Sequence, residues 1–364
     1  LDLLNYKKSK DKKSSIKFII QAKQNKINIK NLEYVEENSK INFKEVKIIQ
    51  NKLIESFNEI KVKTFKKNEE NNNFKITLNK KILVNGSKFD STNLVKEIKK
   101  KNNKNILFSK INKDIDINIK KIVNNLNAEI NNFRLLGKIE KGKFVKISSK
   151  SDFSQNKHLD ITLKKIKNSN LKNLEIYSDL PKPLLSEFSF FNGLKGGNLL
   201  FTSMYDNLSS NSNLQIYNFK VVDAPAFAKL LALADFRGAA DLLSGDGISF
   251  DILEIKFRQN DEKLEILELY AVGSSISILI DGYIDKTGLV SLRGSMVPAK
   301  ELNKLISKIP IIGNILIGKE IGEGVFGVSF KMKGMPNKIK TTVNPIKTLT
   351  PRFITKALEK KKNN

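Results

Sequence analysis

Hydrophobic and polar residues alternate along most of this chain. In "DIDINIK", Ile115, Ile117 and Ile119 fall on one side and charged or amide groups on the other. That period of two marks a half-buried strand. "KNLEIYSDL", "GNLLFTSM" and "LQIYNFKVV" continue the theme through residues 106–222, strand after strand at about ten-residue spacing with asparagine or glycine turns. The pattern predicts a meander of antiparallel strands with one polar and one apolar face. Over residues 1–105 it is harder to read. "KINIKNLEYV" and "FKITLNKKILVNG" suggest strands, lysine- and asparagine-rich pieces such as "KKNEENNNF" read as loops, and "FDSTNLVKEIKK" (Phe89 to Lys100) reads as a short helix capped at Asp90 or Ser91.

Residues 223–345 carry the sharpest signals. "DAPAFAKLLALADFRGAADLLSGDG" has Asp223 as an N-cap and Pro225 in the first turn. Phe227, Leu230, Leu231, Ala234, Leu242 and Leu243 form its apolar stripe, so an amphipathic helix is predicted near 224–244. Strands follow in "ISFDILEIKFR", "KLEILELYAV", "SSISILIDGYID" and "GLVSLRG". In the first, Ile248, Phe250 and Ile252 share one parity and Leu253, Ile255 and Phe257 take the other, a slip that predicts a bulge or strong twist. Asp285-Lys286-Thr287-Gly288 signals a hairpin turn. In "GVFGVSFKMKG", Phe326, Val328, Phe330 and Met332 alternate cleanly.

Between these strands lies "VPAKELNKLISKIPIIGNILIG", Val297 to Gly318. Leu302, Leu305, Ile306 and Ile309 share one helical face over about 299–308, and Pro310 stops the helix. Ile311, Ile312, Ile315, Leu316 and Ile317 form a second apolar patch around Gly313. So short a helix is marginal in water and needs an apolar surface to dock on. Two readings stand: a plug packed on the concave face of its own sheet, or a distal plug that also meets a lipid-filled groove or a membrane.

Composition narrows the function. The chain has 364 residues, 40% of them hydrophobic, enough for a sizeable core. No run reaches the roughly 18 apolar residues of a membrane-spanning helix, and no signal-peptide pattern opens the chain. It starts at Leu1 rather than Met, which fits the tail of a longer protein. The formal charge of +27 is unevenly spread: residues 1–212 hold 43 basic against 22 acidic groups, residues 213–345 hold 16 against 15. Nearly all the excess is lysine. Base or phosphate recognition favours arginine forks, so the charge reads as solvated faces and no nucleic-acid partner is expected.

Enzymatic chemistry finds little support. The single histidine, His158, sits in the polar, loop-like run "SQNKHLD" with no catalytic or ligand pattern around it. There is no cysteine, no G-x-S-x-G, no phosphate loop and no paired-histidine metal motif. "GEGVFG" (Gly322 to Gly327) reads as a turn into a strand. No enzyme, cofactor or metal site is expected.

The order of motifs is itself informative. "FKVVDAPAFAKLL" (Phe219 to Leu231), "LLSGDGISFD", "DGYIDKTGLVSLRGSMVPAKELNKLISKIPIIGNIL", "GVFGVSFKMKG" and "VNPIKTLTPRF" (Val343 to Phe353) together resemble the C-terminal region of the AsmA-like family, most closely its YhdP type. The likeness is specific over about 215–355 and weaker over 85–214, where "GSKFDSTNL" and "GKIEKGKFVKIS" carry it. Lysine and asparagine are heavier here than in the family. The resemblance implies a periplasmic protein of a double-membraned bacterium, anchored in the inner membrane by an N-terminal segment that this chain lacks. It implies strands curled into a groove that carries phospholipid toward the outer membrane, with phospholipid and the two membranes as partners.

The expected architecture is therefore mainly β with a few short helices, an elongated curled antiparallel sheet forming an open apolar groove. Four stretches are expected: a poorly defined strand-and-loop region (1–105), a β-groove segment (106–222), an AsmA-like C-terminal domain (223–355) and a basic tail (356–364). Ile115, Ile117, Ile119, Ile248, Phe250, Phe326, Val328 and Phe330 are the expected groove lining. The rival reading is a structural tether or outer-membrane assembly scaffold that transfers no lipid.

Overall fold

A computed structural model describes residues 2–23, 26–49, 53–94, 110–124, 129–153, 156–185, 193–223, 228, 231–232, 246–298 and 327–346. The chain divides into two compact units, Leu1–Glu187 and Phe188–Asn364, a division that falls inside the 106–222 stretch.

The first unit holds β1 (Ser15–Lys23), β2 (Lys26–Glu36), β3 (Ser39–Ile49), β4 (Leu53–Ser56), β5 (Glu59–Lys66), β6 (Glu69–Leu78), β7 (Ile82–Asp90), β8 (Lys113–Val123), β9 (Glu129–Glu140), β10 (Lys143–Phe153), β11 (Lys157–Lys165) and β12 (Lys172–Ser178), then a short helix α1 (Pro181–Leu185). Each strand pairs with the next in sequence, except that β5 lies beside β3 while the short β4 covers the far end of β3. All these ladders are antiparallel but one: β7 and β8 run parallel, from Ile82 opposite Ile115 to Asp90 opposite Val123. A parallel pair needs a crossover rather than a tight hairpin, and residues 91–112 supply it. Two of the tight hairpins turn on a pair of residues with positive φ, Lys67-Asn68 and Lys141-Gly142, a conformation that matches the right-handed strand twist.

The second unit holds β13 (Leu194–Tyr205), β14 (Ser210–Val221), β15 (Ile248–Gln259), β16 (Lys263–Gly273), β17 (Ile276–Asp285), β18 (Val290–Pro298), β19 (Gly327–Gly334) and β20 (Lys340–Ile346), an antiparallel meander in sequence order. The expected mainly-β, open antiparallel architecture is what the chain adopts.

Two local expectations are realised here. The parity slip in β15 coincides with a register shift between Phe250 and Ile252, so burial moves from Ile248 and Phe250 to Leu253 and Ile255. The Asp285 carboxylate accepts from the amides of Thr287 and Leu289, at 2.8 and 3.0 Å, and closes the turn at Gly288, whose φ is 88°.

Other expectations need correction. The run "KKNEENNNF" is no loop beyond Lys67-Asn68: strand β6 begins at Glu69 and buries Asn71 and Asn72. Their amides are satisfied inside the protein, which removes the reason to expose them. His158 lies on β11 rather than in a loop, directly opposite Asp152, with Nδ1 3.0 Å from its carboxylate. In the helix expected near 224–244, Ala228, Leu231 and Ala232 are helical and Leu231 is fully buried. Asp90 ends β7 and accepts from the Thr92 amide at 3.0 Å, and Leu94 is helical. Pro298 ends strand β18, and residues 299–318, with the helix expected near 299–308, fall outside the described residues.

Candidate functional site

The pairing registers align side chains into rows that cross the first unit. One row runs Phe18, Leu32, Phe43, Ile60, Ile76, Val84, Ile117, Leu135, Ser149, Ile161 and Ile176, each opposite the next on the neighbouring strand. Ser149 is its one polar member. The row one residue away runs Lys17, Glu33, Asn42, Lys61, Lys75, Asn85, Asn118, Arg134, Lys150, Asp160 and Tyr177. Because side chains alternate between faces, the sheet has an apolar and a polar side across eleven strands.

The apolar side is only partly covered. Of its central row, Leu32, Phe43, Ile60, Ile76, Val84, Ile117, Ile161 and Ile176 are half-buried, while Leu135 and Ser149 are buried. Central and neighbouring rows together supply a buried floor, with Ile82, Ile115 and Leu135 in one cluster and residues from Ile29 of β2 to Ile147 of β10 packed against it. The Ser149 hydroxyl is buried there and has no hydrogen-bond partner among the described residues.

The second unit differs. Its rows Leu199, Ile216, Leu253, Ala271, Ile278, Met296, Val328 and Phe201, Leu214, Ile255, Leu269, Ile280, Gly294, Phe330 also cross strand after strand. The first of these rows is closed: all seven residues are buried. Beside these rows lies a hollow of about 610 Å³ lined by Ile266, Gly282, Leu292 and Met332 and by the charged Glu265, Asp281, Arg293, Lys331 and Lys333, with Arg293 paired to Asp281 at 2.7 Å.

The expected groove residues therefore fall into two environments. Ile115, Ile117 and Ile119 share the apolar side of the first unit, where Ile117 is half-buried. Ile248, Phe250, Val328 and Phe330 are sealed at 5% exposure or less, Phe250 stacking on Phe219 with ring centroids 5.3 Å apart. Phe326 and the plug residues Leu302, Leu305, Ile306, Ile309, Ile311, Ile312, Ile315, Leu316 and Ile317 lie outside the described residues. Reading one strand at a time missed the partly open row from Leu32 to Ile176. Its signal, apolar parity within each strand, is present in β2, β5 and β6, but a cross-strand row exists only once register is known.

A buried polar belt closes one end of the first unit's apolar side. Glu36, Ser39, Thr64, Asn71, Asn72 and Asp90 are all buried there. Asn72 donates to the Leu4 carbonyl at 2.7 Å and to Thr64 at 2.9 Å, and accepts from the Asp90 amide at 3.0 Å. Asn5 donates to Asp90 at 2.8 Å. Both Tyr6 and Tyr34 donate to the Glu36 carboxylate, Tyr34 at 2.6 Å, and the Ser9 amide adds 3.0 Å. Burial opposes the charge of Glu36, but these donors outweigh it and hold the carboxyl below its ordinary range. Residues 2–9 are thus strapped across the strand ends by hydrogen bonds.

On the polar side, Glu59 stands among Lys75, Lys61 and Lys44 at 2.9, 3.3 and 3.5 Å. The hydrogen bond from Lys75 chiefly, against burial and with help from Lys61, lowers its carboxyl to about 2. Among the described residues no three histidine, aspartate or glutamate side chains converge to hold a metal ion, and no helix is long and apolar enough to cross a membrane. The chain matches no protein-family profile, no curated protein and no solved structure.

Proposed function

We propose that this chain is the C-terminal part of a bridge-like, AsmA-type envelope protein, and that the apolar side of its first unit is a groove for phospholipid acyl chains. The observation that carries the reading is the partly open apolar row from Leu32 to Ile176, backed by a polar row on the opposite face. Leaving such a surface in water is costly, about 0.8 kcal/mol for each CH₂ that burial would remove from solvent. An acyl chain laid across it covers that surface without any directional bond. The glycerol and phosphate remain at the open side in water. No nucleophile or metal takes part, so the protein acts by sheltering the lipid rather than by changing it.

The resemblance of residues 215–355 to the AsmA-like C-terminal region supplies the setting. In that reading the protein works in the periplasm of a double-membraned bacterium, and its partners are phospholipid and the inner and outer membranes. The second unit, whose apolar rows are largely filled, supplies closed scaffold rather than open groove.

Solvent extraction of the purified, folded chain followed by mass spectrometry tests the reading. Phospholipid should co-purify, or be taken up from phospholipid vesicles. A folded, monodisperse chain that carries none and takes up none overturns it and leaves a structural tether in its place.

A further inference from the structure

Charge in the first unit is sorted along strands β9 to β12. Their pairing brings the end of β9, the start of β10, the end of β11 and the start of β12 together: Lys143 faces Glu140, Lys146 faces Lys164, and Lys165 faces Lys172. The segments that meet there, "KIEKGKFVK" (Lys138 to Lys146) and "KKIKNSNLK" (Lys164 to Lys172), hold eight lysines and a single acid, Glu140. Seven of the eight lysines are exposed. The opposite halves of these strands carry Glu129, Asp152 and Asp160 beside Arg134, Lys150 and Lys157, with Asp179 just past β12.

This arrangement works against the fold. Like charges directly opposite each other destabilise a strand pair, yet Lys146 has a lysine opposite it on each side, Lys138 of β9 and Lys164 of β11. Elsewhere facing lysines share a carboxylate: Lys61 faces Lys75, and both reach Glu59. Here the one carboxylate, that of Glu140, is paired to Lys138 at 3.0 Å. Lys172 is half-buried and donates to the Phe144 carbonyl at 2.8 Å. Burial, with the charges of Lys143 and Lys165, pushes its ammonium below the usual lysine range. Among these lysines the β11–β12 turn presents Ile166 at 36% exposure, its amide bonded to the Leu171 carbonyl at 2.9 Å.

We propose that this lysine-rich end of β9–β12 docks on a bilayer surface rich in anionic phospholipid, with the lysine heads among the headgroups and Ile166 entering the interface. The occupant follows from the chemistry of the patch. Lysine without arginine supplies point charges to a diffuse anionic surface rather than forks to individual phosphates. Lysine stems lie along apolar surface while their heads stay in the headgroup layer. An apolar side chain among them gains from a lipid interface and nothing from a nucleic-acid backbone. The inference rests on the charge pattern and not on the groove: lipid taken up by a chain that does not bind vesicles speaks for the groove alone.

Sedimentation of the whole chain with vesicles reads the docking. At about 0.1 M salt the chain should sediment with vesicles of phosphatidylglycerol and phosphatidylcholine in equal parts and stay in solution with phosphatidylcholine alone. Raising the salt toward about 0.5 M should release it. Lys146→Gln, Lys165→Gln and Lys167→Gln together should weaken binding by at least about tenfold. Lys10→Gln, Lys13→Gln and Lys17→Gln remove the same charge from other exposed positions and should weaken it by less than about threefold. The chain has no cysteine, so a polarity-sensitive fluorophore on Ile166→Cys reports insertion. Its emission should shift to the blue on anionic vesicles, while the same label on His158→Cys, exposed near the other end of β11, should not shift. No binding to anionic vesicles, equal binding to neutral ones, equal loss in the two triple variants, or equal shifts at the two labels overturns the proposal.

Discussion

Gly294 lies opposite Phe330 on β18 and β19, and the phenylalanine ring fills the space where a Cβ would stand. A Cβ at Gly294 would come within 2.5 Å of Phe330 Cζ and of the Leu279 carbonyl. The ring, at 1% exposure, has nowhere to retreat. Gly294→Ala is therefore an overpacking change that should cost about 1–3 kcal/mol. Chemical denaturation should show a lower midpoint with an unchanged slope, while Ser295→Ala, one residue along, leaves the midpoint nearly in place.

The polar belt makes a different prediction. Asn72 is fully buried and its one amide group bonds Leu4, Thr64 and Asp90. Asn72→Ala leaves those partners buried with fewer bonds, a loss of about 1–3 kcal/mol for each group left unsatisfied. Limited proteolysis should then cut residues 2–9 faster in the variant than in the parent chain. Equal cleavage rates would show that the strap is held by something other than Asn72.

Acid should reach Glu59 late. Its carboxyl lies near 2 in the folded protein against an ordinary 4.5, so its charge supports the fold above the ordinary value. That support drains away as pH falls from about 4.5 toward 2. Over this window the stability of Glu59→Gln should decline less steeply than that of the parent, measured by urea denaturation at stepped pH. Parallel curves would assign the acid sensitivity to other carboxylates.

The faces of individual strands were legible in the sequence. Ile115, Ile117 and Ile119 do share a side, and the slip after Phe250 does mark a register shift. The turn at Asp285 was legible too, because aspartate and glycine there carry local hydrogen bonding and positive φ. What hid the first half of β6, ahead of Phe74, was a buried polar row: Asn71 and Asn72 look solvated to any hydropathy argument, and only their distant partners Leu4, Thr64 and Asp90 explain their burial. The parallel pairing of β7 with β8 was equally hidden, since either direction suits the same alternation. The groove candidates were chosen by parity within one strand. Parity cannot distinguish a sealed core such as Val328 and Phe330 from a partly open row such as Ile76, Val84 and Ile117, because that difference lies in what packs above the sheet.

Two adjacent residues of β8 test the central claim most directly. Ile117 stands in the apolar row between Val84 and Leu135, and Asn118 stands in the polar row between Asn85 and Arg134. A photo-reactive benzoylphenylalanine is placed at one position or the other in the whole chain, which is exposed to phospholipid vesicles, irradiated and analysed by intact-mass spectrometry. A phospholipid adduct at Ile117 and none at Asn118 is the predicted result. Equal labelling at both positions, or none at Ile117 in a folded chain, would contradict a lipid groove on the apolar side.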